Sequence, residues 1–512
     1  MHGEITSVPL ILGNQSPVGF IFTELASDPN SRLPESQETL DAITALGNAM
    51  AFDPSNEEGT IPAVYTYFGQ FIDHDITKTN FDLALLGADG KTDPIQKKEI
   101  QPLSAADAID KVSNGRTMKF DLDSMYGDGA TDAINADGSM RLSELSGSKF
   151  GKIDTDDKFH DLPRRDMILD PKDESELEKD RQAIIGDPRN DENLIVAQMH
   201  VAFIRAHNKL ISRGLSQSDA QTAMRRRYQW AVLHDFLPTI TDPTVFNDVI
   251  TNGPRFYQVT EEAELFMPLE YSAAAYRFGH SMVRGSYKHN STFNPAGFEF
   301  FFTFTALSGD LSPTAGHNTD SKTLPDNWVI DWARFFASTA HPVSENPARK
   351  IDTHLTPELG KLRNFQGNEF DELMARLATR NLRRGYLLGL PTGQAIAAKL
   401  GVPALVSDEI IASVPSQFRA IITAAGLDKR TPLWFYILAE AGNPNGPNAP
   451  NGNHLGPVGS RIVAETIWNA INFSIDSVLK TAPSQEELAT GEFTLRGIIN
   501  LGLDKKFPSL FV

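Results

Sequence analysis

The chain of 512 residues contains no cysteine. Disulfide bonds, thiolate nucleophiles, cysteine-ligated zinc, iron–sulfur clusters and thiolate-ligated haem are therefore all excluded. The absence leaves the cellular compartment open, because a cysteine-free chain suits a reducing and an oxidising medium equally well.

Long apolar runs and an excess of basic residues are also missing. The most aromatic run, residues 298–304, is too short to span a bilayer and includes Glu299. The N-terminus has no basic region followed by a long apolar core, so no secretory leader is expected. The formal net charge of -19 argues against nucleic-acid binding, which uses clustered Lys and Arg. The composition predicts a globular protein that acts on small substrates rather than on phosphate-rich polymers.

The densest group of chemically active side chains lies at residues 68–75, FGQFIDHD. Read as a helix, this stretch places Gln70 and His74, four residues apart, on one face that can look into a single cavity. Asp73 and Asp75 lie about 100° to either side of His74 and must have different partners. Taken alone, the same letters are also compatible with a solvated acidic turn that carries a surface histidine.

Residues 68–75 resemble the distal helix of the animal haem peroxidases, whose pattern is GQxxDHD. Further motifs follow downstream in the order that this family uses, and the lack of cysteine is similar to its bacterial members. The resemblance implies that His74 moves a proton during peroxide cleavage and that Gln70 bonds water or a halide. It also implies that Asp73 forms an ester with a haem methyl group.

Residues 117–123, TMKFDLD, alternate oxygen-bearing side chains with apolar or long ones. An extended loop with this spacing points several oxygens to one side, as a hard cation such as calcium requires, although the letters alone describe a polar turn more simply. The family has a calcium loop of this form before a Tyr-Gly pair. The resemblance implies a calcium site formed by Thr117, the carbonyl of Lys119, Asp121, Asp123 and Asp75.

Arg189 and Glu192 stand three residues apart before a long amphipathic pattern, where alone they would be read as a surface ion pair. The family keeps its catalytic arginine and a second haem-linking glutamate in such an R-x-x-E motif. The resemblance therefore implies that Arg189 stabilises charge as the O–O bond breaks and that Glu192 forms a second ester. Asn193 stands where chloride-oxidising relatives carry a haem-linked methionine, so bromide, iodide, thiocyanate and phenols are the expected donors.

A single histidine, His280, interrupts an apolar pattern over residues 271–283 that predicts a helix. Alone, such a histidine is usually a core residue. In the family the haem-iron ligand lies in an R-x-G-H motif, which here runs from Arg277 to His280. By the same resemblance, Asn381 accepts from the ring N–H of His280, and Arg384 and Arg277 pair with haem propionates.

Together these motifs imply an enzyme that reduces hydrogen peroxide and oxidises small anionic or phenolic donors. The expected cofactors are a haem b derivative, linked through esters, and calcium. The oligomeric state stays open. Extracellular relatives are the one indication of a compartment.

Two alternatives remain at the level of sequence. Fatty-acid dioxygenases of the same superfamily carry a tyrosine three residues before the iron-ligating histidine, where this chain has Arg277, with Tyr276 one residue earlier. A non-catalytic adhesion protein would be expected to have lost His74, Arg189 or His280, all of which are present. A metallohydrolase or di-iron protein is disfavoured because no HExxH or ExxH pair occurs.

Helix-type periodicity after residue 190, together with the resemblance, predicts a mainly α fold with few and short strands. We expect a single large helical haem-peroxidase domain at residues 61–512. Turn signals and little amphipathic periodicity predict an extended N-terminal arm at residues 1–60.

Overall fold

The computed structural model describes residues 16–51, 57–87, 92–146, 159–168, 172–173, 176, 179–302, 305, 322–337, 344–362 and 373–503. Helices dominate these residues, and their apolar side chains join in one hydrophobic core. The predicted mainly α fold with few, short strands is confirmed, whereas the domain boundary at residue 60 stays a prediction. No helix among the described residues has the length and apolar character needed to cross a membrane.

Three helices and two short turns position the candidate site. We call them the His74 helix (Val64–Ile76), the His200 helix (Leu194–Ser212), the Asn381 helix (Leu377–Leu387), the Arg189 turn (Pro188–Asp191) and the His280 turn (Ala275–His280). The other α-helices are Thr23–Ser27, Gln37–Met50, Ala105–Lys111, Asp123–Tyr126, Gln217–Ala231, Leu237–Ile240, Pro243–Asn252, Leu269–Ser272, Gly393–Leu400, Ser407–Ala412, Arg419–Ala424, Leu433–Gly442, Pro457–Asn472, Gln485–Ala489 and Leu495–Gly502.

The His74 helix is buried on nearly all sides, including its polar residues Gln70, Asp73 and Asp75, so it lies inside the core rather than on its surface. It packs against the His200 helix, which Leu495–Gly502 covers on another side. The His200 helix begins at Asn193, whose side chain accepts a hydrogen bond from the backbone N–H of Val196 at 3.1 Å. This N-cap fixes where the Arg189 turn ends and the His200 helix starts.

Within the described ranges the strands are short and form one four-stranded sheet and three pairs. The order in the sheet is β3-β4-β1-β7, and β2 pairs with β10, β5 with β6, and β8 with β9. Because Thr79 in β3 lies opposite Asn114 in β4, the chain that leaves the His74 helix runs beside the chain that leads into residues 117–123. The strands are β1 (Ser16–Gly19), β2 (Glu58–Pro62), β3 (Thr79–Phe81), β4 (Val112–Asn114), β5 (Ser143–Glu144), β6 (Phe159–Asp161), β7 (Met267–Pro268), β8 (Ser286–Tyr287), β9 (Ala296–Gly297) and β10 (Pro347–Arg349).

The N-terminal part is less extended than the sequence predicts. Residues Gln37–Met50 form a helix that packs against the Asn381 helix. Ser36 caps it by accepting from the backbone N–H of Thr39 at 3.1 Å, and its apolar positions, among them Leu40 and Ile43, are buried. Gly47 and Asn48 disfavour a helix, so the sequence did not predict one here. Tertiary packing of the apolar face stabilises it.

The predicted helix over residues 271–283 is also wrong in detail. An α-helix covers only Leu269–Ser272, and His280 ends the 3-10 helical His280 turn. Ala274 leaves the helical region with φ -135° and ψ -72°. The Arg277 Nε donates to the carbonyl oxygen of Ser272 at 2.8 Å, which stabilises the break.

A buried carboxyl group joins two helices of the C-terminal third. Glu440, on Leu433–Gly442, accepts from the backbone N–H of Val458 at 3.0 Å at the start of Pro457–Asn472. Burial raises its pKa from 4.5 to about 8. The folded chain therefore binds the Glu440 proton more tightly than the unfolded chain does.

We expect this carboxyl group to make folding stability fall as the pH rises. Its contribution is fully present below about pH 4.5 and is lost as the pH rises through the folded pKa near 8, because ionisation is then favoured in the unfolded chain. Glu440→Gln, which stays neutral and still accepts the N–H, should flatten the decline, by about 1.4 kcal/mol for each unit of pKa shift removed. Urea unfolding of both proteins at pH 5 and pH 8 gives the loss of unfolding free energy between the two pH values. An equal loss in both proteins would contradict the assignment.

Candidate active site

A small cavity of about 30 Å³ lies between the His74 helix and the His280 turn. It joins side chains that the sequence places two hundred residues apart. A Cβ added to Gly279 would meet no atom within 4 Å, so a flat ligand has room to approach the backbone there. The wall includes Gln70, Asp73, Tyr276, Arg277, Gly279 and His280.

Asn381 holds the ring of His280. Its amide nitrogen Nδ2 lies 2.7 Å from His280 Nδ1, and both side chains are buried. In this orientation the amide donates, whereas the sequence predicts that it accepts. An imidazole that binds a metal through Nε2 carries its hydrogen on Nδ1, so metal binding requires the Asn381 amide to turn by 180° and present its oxygen.

Asn190 holds the ring of His74, also through Nδ1. The His74 Nδ1 lies 2.8 Å from Asn190 Oδ1, so Nδ1 carries the hydrogen and the Nε2 lone pair is available to take a proton. Burial, aided by the charge of Arg189, lowers the His74 pKa from 6.5 to about 3. His74 is therefore neutral near pH 7, as a general base must be before it acts.

The guanidinium group of Arg189 is locked beside His74. Its Nη2 donates to the His74 carbonyl oxygen at 3.0 Å and to the Thr77 carbonyl oxygen at 2.7 Å. It also pairs with Asp187, which lies between Arg189 and Arg116. Although burial alone raises the pKa of Asp187, the two guanidinium groups hold it well below its usual range. Among the described residues, Arg189 Nη1 has no hydrogen-bond partner and is left for a ligand.

The two predicted propionate-binding arginines contact carboxylates of the chain itself. Arg277 Nη1 lies 3.0 Å from Asp73 Oδ2, and Thr77 Oγ1 donates to Asp73 Oδ1 at 2.7 Å. Arg384 Nη2 lies 2.9 Å from Asp93 Oδ2. Ester formation at Asp73 therefore requires its carboxylate to leave Arg277.

Gln70 is connected to the segment that follows the Arg189 turn. Its Oε1 accepts from Asn193 Nδ2 at 3.2 Å, and its Nε2 is buried with no hydrogen-bond partner among the described residues. A buried unpaired amide N–H is costly, so this donor fits a ligand in the cavity. Glu192 directly follows the Arg189 turn as its C-cap and is buried next to Asn193.

Residues 26–417 match the sequence model of the animal haem peroxidase family. The chain belongs to this family. The residues at the cavity fit the haem that defines it: the imidazole of His280 in the wall, open space at Gly279 and an unpaired donor on Gln70, with His74 outside the wall on the helix that supplies Gln70.

Solved structures show the same fold at low sequence identity. Peroxidase A from Dictyostelium discoideum has 16% identity and a TM-score of 0.58, with 91% of this chain and 90% of that chain covered. The fatty acid alpha-dioxygenases of Oryza sativa and Arabidopsis thaliana each have 12% identity and a TM-score of 0.55. The alignments cover 94% and 95% of this chain and 79% and 83% of those chains, respectively. No curated protein matches the chain in sequence.

The predicted calcium loop brings carboxylates together near the end of the His74 helix. Asp75 Oδ1 accepts from the backbone N–H of Ser124 at 3.0 Å, and the buried Asp75 carboxyl group also lies beside the Tyr228 hydroxyl group. Burial, together with Asp123, raises the pKa of Asp75 to about 8. In the described part of the chain, no three His, Asp or Glu side chains are arranged as metal ligands. Calcium binding therefore stays a prediction.

The remaining predicted ligands each have a bond within the protein. Thr117 Oγ1 donates to Asp123 Oδ2 at 2.7 Å, and Asp121 Oδ1 accepts from the backbone N–H of Ile475 at 2.7 Å. Lys119, predicted to ligate through its carbonyl, directs its ammonium group to Glu262. Met118 has a φ of 58°, so the loop is not a plain extended strand as its alternation suggests.

Two residues of the site, Asp187 and Asn190, were not predicted from the sequence, and for Asn193 the bond to Gln70 was not predicted. Their partners Arg116, His74 and Gln70 are distant in sequence, and only folding brings them together. A local signal exists for two of them, because Asp187 and Asn193 both precede helical turns as N-caps. Asn190 had no such signal.

A second buried arginine, Arg164, links the Arg189 turn to strand β6 through two carboxylates. Arg164 donates from Nε to Asp161 Oδ2 at 2.6 Å and from Nη1 to Asp191 Oδ2 at 2.7 Å, with its side chain 2% exposed. Asp191 is the last residue of the Arg189 turn. The turn that carries Arg189 and Asn190 is thereby fixed to β6.

We expect Arg164→Gln to lower the free energy of unfolding by about 3–5 kcal/mol, because two buried carboxylates lose their cation. Arg334→Gln is the matched control, since Arg334 also bonds two carboxylates, Asp331 and Glu345, but at the surface. Its loss should cost about 1 kcal/mol or less. Urea unfolding of the two variants measures both costs, and similar values would contradict the assignment of a buried clamp.

Proposed function

We propose that the chain is a peroxidase that reduces hydrogen peroxide with a haem held by His280 and oxidises bromide, iodide, thiocyanate or phenols. The observation that carries the proposal is the cavity between the His74 helix and the His280 turn, whose wall includes His280 itself. A haem bound there supplies the iron centre and the electrons that reduce peroxide. The side chains supply proton transfer, charge and position.

His74 moves the proton. Its Nε2 takes a proton from one oxygen of hydrogen peroxide and returns it to the other, so that water can leave. The hydrogen bond from Nδ1 to Asn190 at 2.8 Å keeps the ring in the tautomer that this step needs. The neutral state of His74 near pH 7 leaves the base ready to accept.

Arg189 stabilises negative charge that develops as the O–O bond breaks. Three acceptors fix its Nε and Nη2, so Nη1 is preorganised and costs little to orient when charge appears. Gln70 presents its unpaired Nε2 to distal water or to a halide. In the proposed site, Arg189 Nη1 and Gln70 Nε2 are the two donors offered to a small anion.

Asp73 and Glu192 are the proposed ester links to haem. Asp73 lies in the cavity wall, and Glu192 is buried at the end of the Arg189 turn. Asn193 at the next position cannot form a sulfonium bond, which supports bromide, iodide and thiocyanate over chloride. Denaturing mass spectrometry after peroxide treatment should find haem retained on peptides that contain these two carboxylates.

We also propose calcium at residues 117–123 and Asp75, where the buried carboxyl group of Asp75 close to Asp123 supports a cation. Calcium at about 100 times its dissociation constant should raise the free energy of unfolding by about 2.7 kcal/mol, and a chelator should remove the gain. Asp75→Asn should abolish the response, whereas Asp248→Asn, at the surface near Arg461, should keep it. Thermal unfolding with and without calcium measures it, and a chain indifferent to the ion contradicts the proposal.

Haem loading tests the function directly. The purified chain incubated with haem should show a Soret band that shifts when peroxide is added, and it should oxidise guaiacol or iodide. A chain that takes up no haem would be a non-catalytic relative, and the proposal would be wrong. A Soret band without any response to peroxide would contradict it equally.

Fatty-acid dioxygenation is a second candidate because Tyr276 lies in the cavity wall. Its hydroxyl group is buried with no hydrogen-bond partner among the described residues, and its ring stacks on Tyr271 with centroids 4.7 Å apart. One of the similar solved structures is a dioxygenase of Oryza sativa with palmitic acid. Oxygen uptake with palmitic acid, measured beside peroxide-driven guaiacol oxidation, separates the two candidates.

A further inference from the structure

Asn190 bridges two buried histidines. Its Oδ1 lies 2.8 Å from Nδ1 of His74, and its Nδ2 lies 2.9 Å from Nδ1 of His200. All three side chains are at most 3% exposed. The amide is therefore bonded at both ends and has no contact with solvent that could compete.

The two contacts cannot be set independently. A 180° turn of the amide would place Nδ2 against His74 Nδ1, and His74 would then carry its hydrogen on Nε2. In that state Nε2 could not take a proton from a ligand. The same turn would require His200 to donate from Nδ1. The tautomer of His74 is thus coupled to that of His200 through one amide.

His200 is itself held firmly enough to act as the reference. It lies within the His200 helix, and its ring meets that of Phe71 edge to face, with centroids 5.8 Å apart and planes at 80°. Phe71 belongs to the His74 helix. Burial lowers the pKa of His200 to about 3, so the ring is neutral. With Asn190 Nδ2 at 2.9 Å, Nδ1 is the acceptor, and the hydrogen lies on Nε2, which is buried with no hydrogen-bond partner among the described residues.

We propose that Asn190 is a positioning residue, oriented by His200, that holds His74 in the tautomer with hydrogen on Nδ1 and a free lone pair on Nε2. It acts through His74 and touches no substrate. The inference rests on the proposed function in one respect, since the lone pair matters only if His74 acts on a ligand in the cavity. The tautomer itself is a property of the chain.

Nitrogen-15 NMR of histidine-labelled protein without haem reads the tautomer directly. A His74→Gln variant assigns the signals. The wild-type ring should show a protonated Nδ1 and an unprotonated Nε2, and Asn190→Ala and His200→Phe should both lose this preference. A wild-type ring protonated on Nε2, or a preference unchanged in either variant, overturns the proposal whether or not the chain is a peroxidase.

Cyanide binding to the haem-loaded chain gives a second readout that needs no turnover. Hydrogen cyanide must lose a proton to bind ferric iron, whereas carbon monoxide binds the reduced iron without proton transfer. Asn190→Ala should slow cyanide association by about 10- to 100-fold and leave carbon monoxide association unchanged. Asn190→Asp, whose carboxylate still accepts from Nδ1, should restore most of the cyanide rate.

The matched control is Asn469→Ala. Asn469 is 1% exposed and donates from Nδ2 to the Tyr257 carbonyl oxygen at 2.7 Å, away from the cavity. It should lose comparable stability and keep both association rates. If Asn190→Ala slows cyanide and carbon monoxide equally, Asn190 only maintains the cavity and the proposal is wrong. Wild-type protein that binds cyanide normally but ignores peroxide would contradict the proposed function alone.

Discussion

Replacing His74 by leucine is expected to slow the reaction with hydrogen peroxide by about 10²- to 10⁴-fold, because the Nε2 lone pair that moves the proton is lost. Haem should still bind, since the proposed iron ligand His280 lies in the cavity wall and is unchanged. Stopped-flow measurement of the Soret shift after mixing with peroxide separates the two properties. Steady-state oxidation of guaiacol should fall by a similar factor.

His207→Leu is the control for loss of a buried histidine. His207 is 1% exposed and has bonds of similar quality, with Nδ1 2.9 Å from the Tyr126 hydroxyl and Nε2 3.0 Å from the Gly138 carbonyl oxygen. Its ring contacts Tyr126 and Gly138 and has no bond to Asn190, so the variant should lose stability without slowing the peroxide reaction. Equal rate losses in the two variants would mean that His74 acts through the fold and not through chemistry.

Motifs that lie within a few residues of each other could be read from the sequence. Gln70 and Asp73 are fixed relative to each other by one helix, and Arg277 and His280 by one short turn. Local geometry is set by backbone sterics and hydrogen bonds within the segment, so the relative positions of these side chains can be predicted from the sequence. The structure places all four in one cavity wall, as the family order of the motifs predicts.

Pairings between distant segments could not be read in this way. Arg277 and Arg384 were predicted to face haem propionates, yet each has a carboxylate of the chain beside it, Asp73 and Asp93 respectively. An acidic partner can lie anywhere in the chain, and its choice depends on tertiary packing. Asn190 escaped notice for the same reason, because both of its histidine partners become neighbours only after folding.

The prediction of secondary structure failed where the local conformational preference of the residues and their tertiary packing disagree. The helix Gln37–Met50 contains Gly47, whose Cα approaches Thr379 so closely that an added Cβ would lie 2.6 Å from the Thr379 Cα. Glycine weakens a helix on its own but permits this contact with the Asn381 helix. Conversely, the alanines near residue 274 favour a helix, and the Arg277 bond to the Ser272 carbonyl oxygen interrupts it.

Loss of His280 should have the other large effect, because it removes the proposed iron ligand. We expect His280→Gly to bind haem at least about 10- to 100-fold more weakly than the wild type, since loss of an outer-shell partner of a ligand alone costs that much. The Soret band of any haem that remains should change position. Added imidazole should enter the space left by the side chain and restore both loading and spectrum.

Asn381→Ala should give a smaller loss of haem affinity in the presence of an intact ligand, because Asn381 contacts His280 Nδ1 at 2.7 Å and orients the ring. His289→Phe is the control: His289 is fully buried, stacks on Phe293 with centroids 4.8 Å apart, and has no hydrogen-bond partner on either ring nitrogen among the described residues. Its haem loading should equal that of the wild type. Normal haem loading in His280→Gly without imidazole would mean that another group binds the iron. The assignment of His280 as the iron ligand would then be wrong.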